Sequence, residues 1–199
     1  MDINKNEMIC IIDCGSNYID DIAQTIKELG VSCNVINNEN LEKIDFEAFS
    51  GVIISGGLVF RKQINIPKYV KRFEFIKSIN IPVLGICHGH QVIGLLYGSE
   101  IKDSPEIKKE EVIEIISSND ILNDVKNRTK FREEHIKYIT LPNDFKLLAR
   151  SSSCENEAMK HKDKPIYGLQ FHPEMSGSSG KTIIKNFINI TKQSSGSTG

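Results

Sequence analysis

No charge of one sign dominates this sequence. Its 25 lysines and arginines stand against 26 aspartates and glutamates, a formal net charge of −1, so no global attraction to nucleic acid or to an acidic membrane surface is expected. The charges are interleaved, as in EIKKEEVIE, in the manner of a solvated face. There is no run of about 18 apolar residues, which excludes a hydrophobic membrane-spanning helix. The N-terminal stretch MDINKNEMICIIDCG lacks a basic region and an A-x-A site, so a secretory leader is not expected. Cysteine comes as a scattered, odd set of five (Cys10, Cys14, Cys33, Cys87, Cys154). That is no disulfide framework, and a reducing cytoplasm is the expected compartment. Internal repeats, a domain-length linker and a glycine-rich phosphate loop are all missing.

What remains is a chain of 199 residues, enough for one α/β domain with a real core. MICIID, from Met8 to Asp13, is apolar without alternation, as in a strand buried on both faces of a parallel sheet. Ile19, Ile22, Ala23, Ile26 and Leu29 follow at helical spacing, with Gly30 as the stop. Val31 to Ile36 and FSGVIISGG predict the next two strands. Tyr69, Phe73 and Ile76 predict a helix, NIPVLGI a fourth strand, and HQVIGLLYG a helix stopped at Gly98. Alternating strand and helix predict an open, mostly parallel sheet with helices on both faces. The second half offers EEVIEII, FKLLAR, NEAMKH and IYGLQF as short strands with few helices between them, expected as a small mixed or antiparallel extension. KTIIKNFINI reads as a closing amphipathic helix. The domain is expected to span 1–191, and the polar residues 192–199 to form a flexible tail.

The segment GICHG places Cys87 between glycines, after an apolar strand and before a helix. A strand, then G-x-nucleophile-x-G, then a helix is a nucleophile elbow. The turn is sharp, so its flanking residues must be small. The free N–H groups and the positive end of the following helix face the sulfur and favour negative charge there. The N–H of His88 lies where an oxyanion would form. Taken alone, the segment also fits a buried structural cysteine on a glycine-rich turn. A nucleophile needs a proton carrier, and His172 in YGLQFHPE suits the task. It ends an apolar strand that Pro173 stops, at the sheet edge where open α/β folds build their sites. Glu174, two residues on, can fix its tautomer.

GICHGHQ and GLQFHPE, with SGG at Ser55 to Gly57 before them, resemble the motifs of the class I, triad-type glutamine amidotransferases, in the same order along nearly the whole chain. The resemblance implies a flavodoxin-like fold. It also implies that Cys87 attacks the side-chain amide of L-glutamine to form a γ-glutamyl thioester, which water then hydrolyses to glutamate. His172 is implied as base and then acid, with Glu174 orienting it. Backbone N–H groups of Gly57 and His88 are implied as the oxyanion hole, and Gly56, Gln91 and His135 as lining the glutamine. IIDCGSNY and the block from ITLPNDF to FHPE are most similar to the glutamine amidotransferase subunit of archaeal-type GMP synthases. Such subunits pass ammonia to a separate synthetase (ATP pyrophosphatase) subunit, which converts XMP to GMP. Mg-ATP then belongs to that partner, and no cofactor or metal is expected in this chain.

Three features depart from the family pattern. Leu58 stands where a proline usually follows the glycine pair. In EEHIKY (Glu134, His135, Lys137) a lysine replaces the acid expected after the histidine. His88 is an unusual residue to follow the nucleophile, and its side chain is expected in solvent. These leave open a stand-alone γ-glutamyl hydrolase, or an amidotransferase serving a different acceptor; a non-catalytic scaffold is disfavoured by the intact Cys87, His172 and Glu174. The spacing of Cys87, His88 and His90 fits no standard zinc pattern. His135 reads as substrate-side or as a surface histidine, and His161 as a solvated turn residue. Cys10 and Cys33 read as core, Cys14 as packing, and Cys154 as structural or half-exposed.

Overall fold

A computed structural model describes residues 8–61, 64–117 and 119–195. Nine strands form one sheet in the order β2-β1-β3-β4-β9-β8-β7-β5-β6. The parallel part comprises β1 (Met8–Asp13), β2 (Ser32–Asn37), β3 (Gly51–Ile54), β4 (Val83–Ile86) and β9 (Ile166–Leu169). Helices α1 (Ile19–Glu28) and α4 (Gly177–Ser195) cover one face, and α2 (Ile66–Lys71) and α3 (His88–Leu96) the other. β1 explains why its sequence is apolar throughout. Ile9 and Ile11 join the core under α1 and α4, while Cys10 and Ile12 join the core under α2 and α3. Each such buried aliphatic side chain contributes roughly 1.5–3 kcal/mol.

The antiparallel part comprises β8 (Ala158–His161), β7 (Phe145–Arg150), β5 (Ile101–Ile115) and β6 (Thr129–Ile139). It is larger than the sequence suggests. The first part of β5 and all of β6 are strands that hydropathy hides. The inward positions of β6 include Glu133 and His135 as well as Phe131 and Ile139, so alternation of polarity is lost although alternation of burial remains. In β5 the pairing slips between Asp103 and Ile107, around Pro105, which cannot donate to a ladder.

Other differences have local causes. The helix expected across Tyr69, Phe73 and Ile76 is α2 followed by a short 3₁₀ turn at Glu74–Lys77, and all three side chains are buried. Asn65 caps α2 by accepting from the Lys68 N–H. Cys33 is only half-buried, because β2 is an edge strand. α4 continues through Ser195, so residues 192–195 of the expected tail are helical. Once Ile188, Ile190 and Thr191 are packed, each further helical residue adds a hydrogen bond at little cost. The rest of that expected tail lies outside the described residues.

Parallel strands end on a common edge, and this topology gathers the chemistry. The ends of β1, β3, β4 and β9 bring Cys14, Ser55–Gly57, Cys87 and Gln170–His172 together. Among the described residues no helix is long and apolar enough to cross a membrane.

Candidate active site

Cys87 joins β4 to α3 with φ +48° and ψ −100°, a setting that a non-glycine residue holds only under strain. Its neighbours show why the frame must be small. A Cβ on Gly89 would collide with the Ile54 carbonyl, and one on Gly85 with the Gly89 backbone. The Cys87 N–H donates to the Leu169 carbonyl at 2.7 Å, and the Cys87 carbonyl accepts from the Gln91 N–H at 3.1 Å. The elbow is thereby tied to β9 on one side and to α3 on the other. His88 opens α3, so its N–H has no acceptor within the helix.

The glycine pair is anchored by Ser55, whose hydroxyl donates to the Gly56 carbonyl at 2.8 Å and accepts from the Cys14 N–H at 3.0 Å. Gly56 lies against the His172 ring: a Cβ there would sit 3.0 Å from Cε1. A Cβ on Gly57 would strike the Cys14 carbonyl. Cys14 is therefore packing beneath the glycine loop, and burial pushes its thiol pKa up to about 12.

His172 and Glu174 meet as the sequence suggests. Nδ1 of His172 lies 2.7 Å from Oε1 of Glu174, both side chains being buried. That leaves Nε2 as the ring atom available to the sulfur. Burial alone would lower the imidazole's pKa, but Cys87 and Glu174 beside it outweigh burial and hold it well above 6.5. The backbone of His172 is fixed by β6, where its N–H donates to the Arg132 carbonyl at 2.8 Å, and by the Ser176 hydroxyl, which donates to the His172 carbonyl at 2.6 Å.

Gln91 and His135 line one of two narrow clefts that share Cys87, Gly57, Leu58 and Glu134 as walls. Nε2 of Gln91 donates to the Lys137 carbonyl at 2.7 Å and to Oε1 of Gln170 at 3.1 Å. His135 is buried rather than on the surface. Its Nε2 lies 3.3 Å from Glu133, and burial lowers its pKa. Beneath it, burial raises the Glu133 carboxyl to about 8 and the neighbouring Glu157 well above its ordinary range. A wider hollow lined by Lys109, Glu111, Arg128 and Ser151 lies elsewhere and contains no paired nucleophile and base.

Two expectations are corrected. The His88 side chain is buried, not solvated. It shares a 3.0 Å hydrogen bond with the Tyr69 hydroxyl and packs edge-on to Phe60, and burial lowers its pKa to about 3. His161 is buried too, edge-on to Tyr97 and Phe145, with Nδ1 accepting the N–H groups of Asp163 and Lys164. Cys154 is fully packed. Among the described residues no three His, Cys, Asp or Glu side chains are grouped to hold a metal ion.

Sequence reasoning missed two residues at the site, Gln170 and Tyr18, and the link from Tyr18 to Glu134. Gln170 contacts the Cys87 sulfur; it stands one residue past β9 and two before His172, at the strand end where the sequence already indicated a site. Tyr18 and Glu134 are 116 positions apart and join at 2.6 Å across the cleft, with the Tyr18 ring edge-on to His172 at 5.3 Å. No local pattern could have paired them.

The chain is similar to known proteins along most of its length. The family model "Glutamine amidotransferase class-I" matches residues 10–190. The chain is 40% identical over 187 residues to the glutamine-hydrolyzing GMP synthase subunit of Pyrococcus furiosus, covering 92% of this chain and 98% of that protein. It is 36% identical over 191 residues to the protein of the same name from Methanocaldococcus jannaschii, covering 92% and 97%. A crystal structure of a Thermoplasma acidophilum protein assigned to the same GMP synthase component superposes with TM-score 0.82 at 29% identity, over 94% of both chains. A Thermotoga maritima glutamine amidotransferase shares the fold, with TM-score 0.70 at 22% identity over 94% of this chain and 84% of that one.

Proposed function

The chain belongs to the class-I glutamine amidotransferase family, and from that premise we propose that it is the glutamine-hydrolysing half of a two-subunit GMP synthase. The observation that carries the chemistry is the strained Cys87 beside a buried His172 whose other nitrogen is held by Glu174. Cys87 passes its thiol proton to His172, and its sulfur attacks the γ-carboxamide carbon of glutamine. The carbonyl oxygen becomes an oxyanion facing the N–H groups of Gly57 and His88. His172, protonated, gives its proton to the departing ammonia and leaves a γ-glutamyl thioester. It then takes a proton from water, which attacks the thioester and releases glutamate and the thiol. Glu174 keeps the proton of His172 on Nδ1 and stabilises the imidazolium.

The likeness to these GMP synthase relatives over nearly their whole length supports the assignment of the acceptor. Ammonia passes to a separate synthetase subunit, which uses Mg-ATP to activate XMP and converts it to GMP. The test is an assay of ammonia and GMP with the chain alone, with a synthetase subunit, XMP and Mg-ATP, and with Cys87→Ala in each setting. GMP formed from glutamine only when intact Cys87 and the partner are both present supports the reading. Hydrolysis of γ-glutamyl compounds at full rate without any partner rejects it in favour of a stand-alone hydrolase.

A further inference from the structure

We propose that Gln170 is a further catalytic residue of this site: its side-chain N–H donates to the Cys87 sulfur and stabilises the negative charge there before attack and when the thioester breaks down. The inference rests on Cys87 being the nucleophile. Gln170 is wholly buried, and its Nε2 lies 3.7 Å from Sγ, within hydrogen-bond reach of a sulfur acceptor.

The orientation of the amide is decided by its neighbours. Oε1 of Gln170 accepts from Nε2 of Gln91 at 3.1 Å, and that nitrogen also donates to the Lys137 carbonyl at 2.7 Å. Turning the Gln170 amide over would set two NH₂ groups against each other and an oxygen against the sulfur. The backbone leaves no slack either. The Gln170 N–H donates to the Glu157 carbonyl at 2.8 Å, and the preceding Leu169 carbonyl accepts from Cys87 at 2.7 Å.

The other polar contact of the sulfur points the opposite way. The Glu134 carbonyl lies 3.6 Å from Sγ, placed to accept the thiol S–H. That carbonyl stabilises the thiol and repels a thiolate. The Gln170 N–H adds to the His172 imidazole in offsetting it, and a donor to a charged acceptor in a water-poor site is worth more than a neutral pair.

The test uses Gln170→Met, which keeps the length and removes the donor. Three quantities are compared with the wild type: the rate at which iodoacetamide alkylates Cys87, followed by mass spectrometry; kcat and KM for glutamine; and the melting temperature. Loss of a hydrogen bond to a charged group predicts alkylation and kcat each slower by about 10-fold or more, with KM changed by less than about 3-fold. A folded variant whose Cys87 alkylates at the wild-type rate overturns the proposal, even if kcat falls. If Gln170→Met does not fold, Gln170→Glu carries the test, since it keeps the shape and replaces the donor by a carboxylate; slower alkylation supports the sulfur contact and an unchanged rate overturns it. Slower alkylation in a chain whose wild type releases no ammonia even with a synthetase subunit, XMP and Mg-ATP would leave the sulfur contact standing and reject the glutaminase reading instead.

Discussion

At the scale of single residues, setting separates Cys87 from the other four cysteines: it stands on the strained elbow, beside His172 and at the foot of both clefts. Desolvation pushes Cys10 and Cys14 up to about 12 and raises Cys33 and Cys154 as well, so each is held as an unreactive thiol. A glutamine analogue with an electrophile at the amide position should therefore label Cys87 first. Cys87→Ala should abolish hydrolysis while leaving the fold intact, since a small residue suits the elbow; equal labelling of Cys154, followed by mass spectrometry, would refute this. His172→Ala should cost about 10²–10⁴-fold in kcat, as expected for a lost general base. Glu174→Gln should cost less, because the acid only orients the ring and an amide oxygen still accepts one hydrogen bond. Glu133 makes a different kind of prediction. Its carboxyl titrates near 8 when folded, against an ordinary 4.5, with Glu157, Glu111, His135 and His172 around it. The folded state holds a proton that the unfolded chain releases, so this group's contribution falls as pH rises from about 4.5 to about 8. Glu133→Gln removes that loss. Thermal unfolding should show the variant more stable by about 1–3 kcal/mol at mildly alkaline pH, with the gap closing towards pH 4.5. A gap that is constant with pH would mean that Glu133 is not protonated in the fold.

At the scale of elements, the elbow depends on how closely α3 approaches β3. Gly89→Ala presses a methyl group into the Ile54 carbonyl. Overpacking of this kind costs about 1–3 kcal/mol, so a lowered melting temperature is expected. Activity should fall further than stability, because the same shift displaces the His88 N–H and Cys87. Melting and kinetic measurements on one preparation separate the two effects. The elements legible in the sequence share a physical trait. β1, β3 and β4 are apolar on both faces, and GICHG keeps its glycines where backbones nearly touch, so local composition reports the tertiary setting. β6 was illegible because Glu133 and His135 occupy positions that face inward. The fate of the His88 ring was illegible because Tyr69 and Phe60 reach it from a remote segment. Cys87, His172 and Glu174 could be read as a set, since the end of a parallel strand is a place that sequence can indicate. The contacts across the cleft could not, since they depend on the return of a long hairpin.

At the scale of the whole molecule, that hairpin is built over the candidate site. Glu134 of β6 accepts from the Tyr18 hydroxyl at 2.6 Å and pairs with Lys108 of β5 at 3.2 Å. Arg132 lies 3.7 Å from the same carboxylate. These contacts tie the loop after β1 to the hairpin, and Glu134 walls both clefts that meet at Cys87. Partial burial works against the charge of this carboxylate, yet Tyr18 and Lys108 outweigh burial and keep its pKa below the ordinary value. The bridging carboxylate is thus charged near neutral pH. On the proposed function, ammonia released without an acceptor is wasted, so hydrolysis by the isolated chain should be slow and should rise when a synthetase subunit binds with XMP and Mg-ATP. The bridge is the element such a partner would have to shift to admit glutamine and to order the N–H of Gly57. Leu58, exposed beside that glycine, lacks the ring of a proline that would fix the loop. Tyr18→Phe removes one hydrogen bond to a charged group, which is worth about 1.5–3 kcal/mol, and leaves the ring against His172. Basal kcat should then rise by up to about 10-fold and the activation by the partner should shrink correspondingly. Steady-state ammonia release by wild type and variant, each with and without partner, decides the matter. A variant with unchanged basal rate and full activation would show that the bridge does not restrain the site.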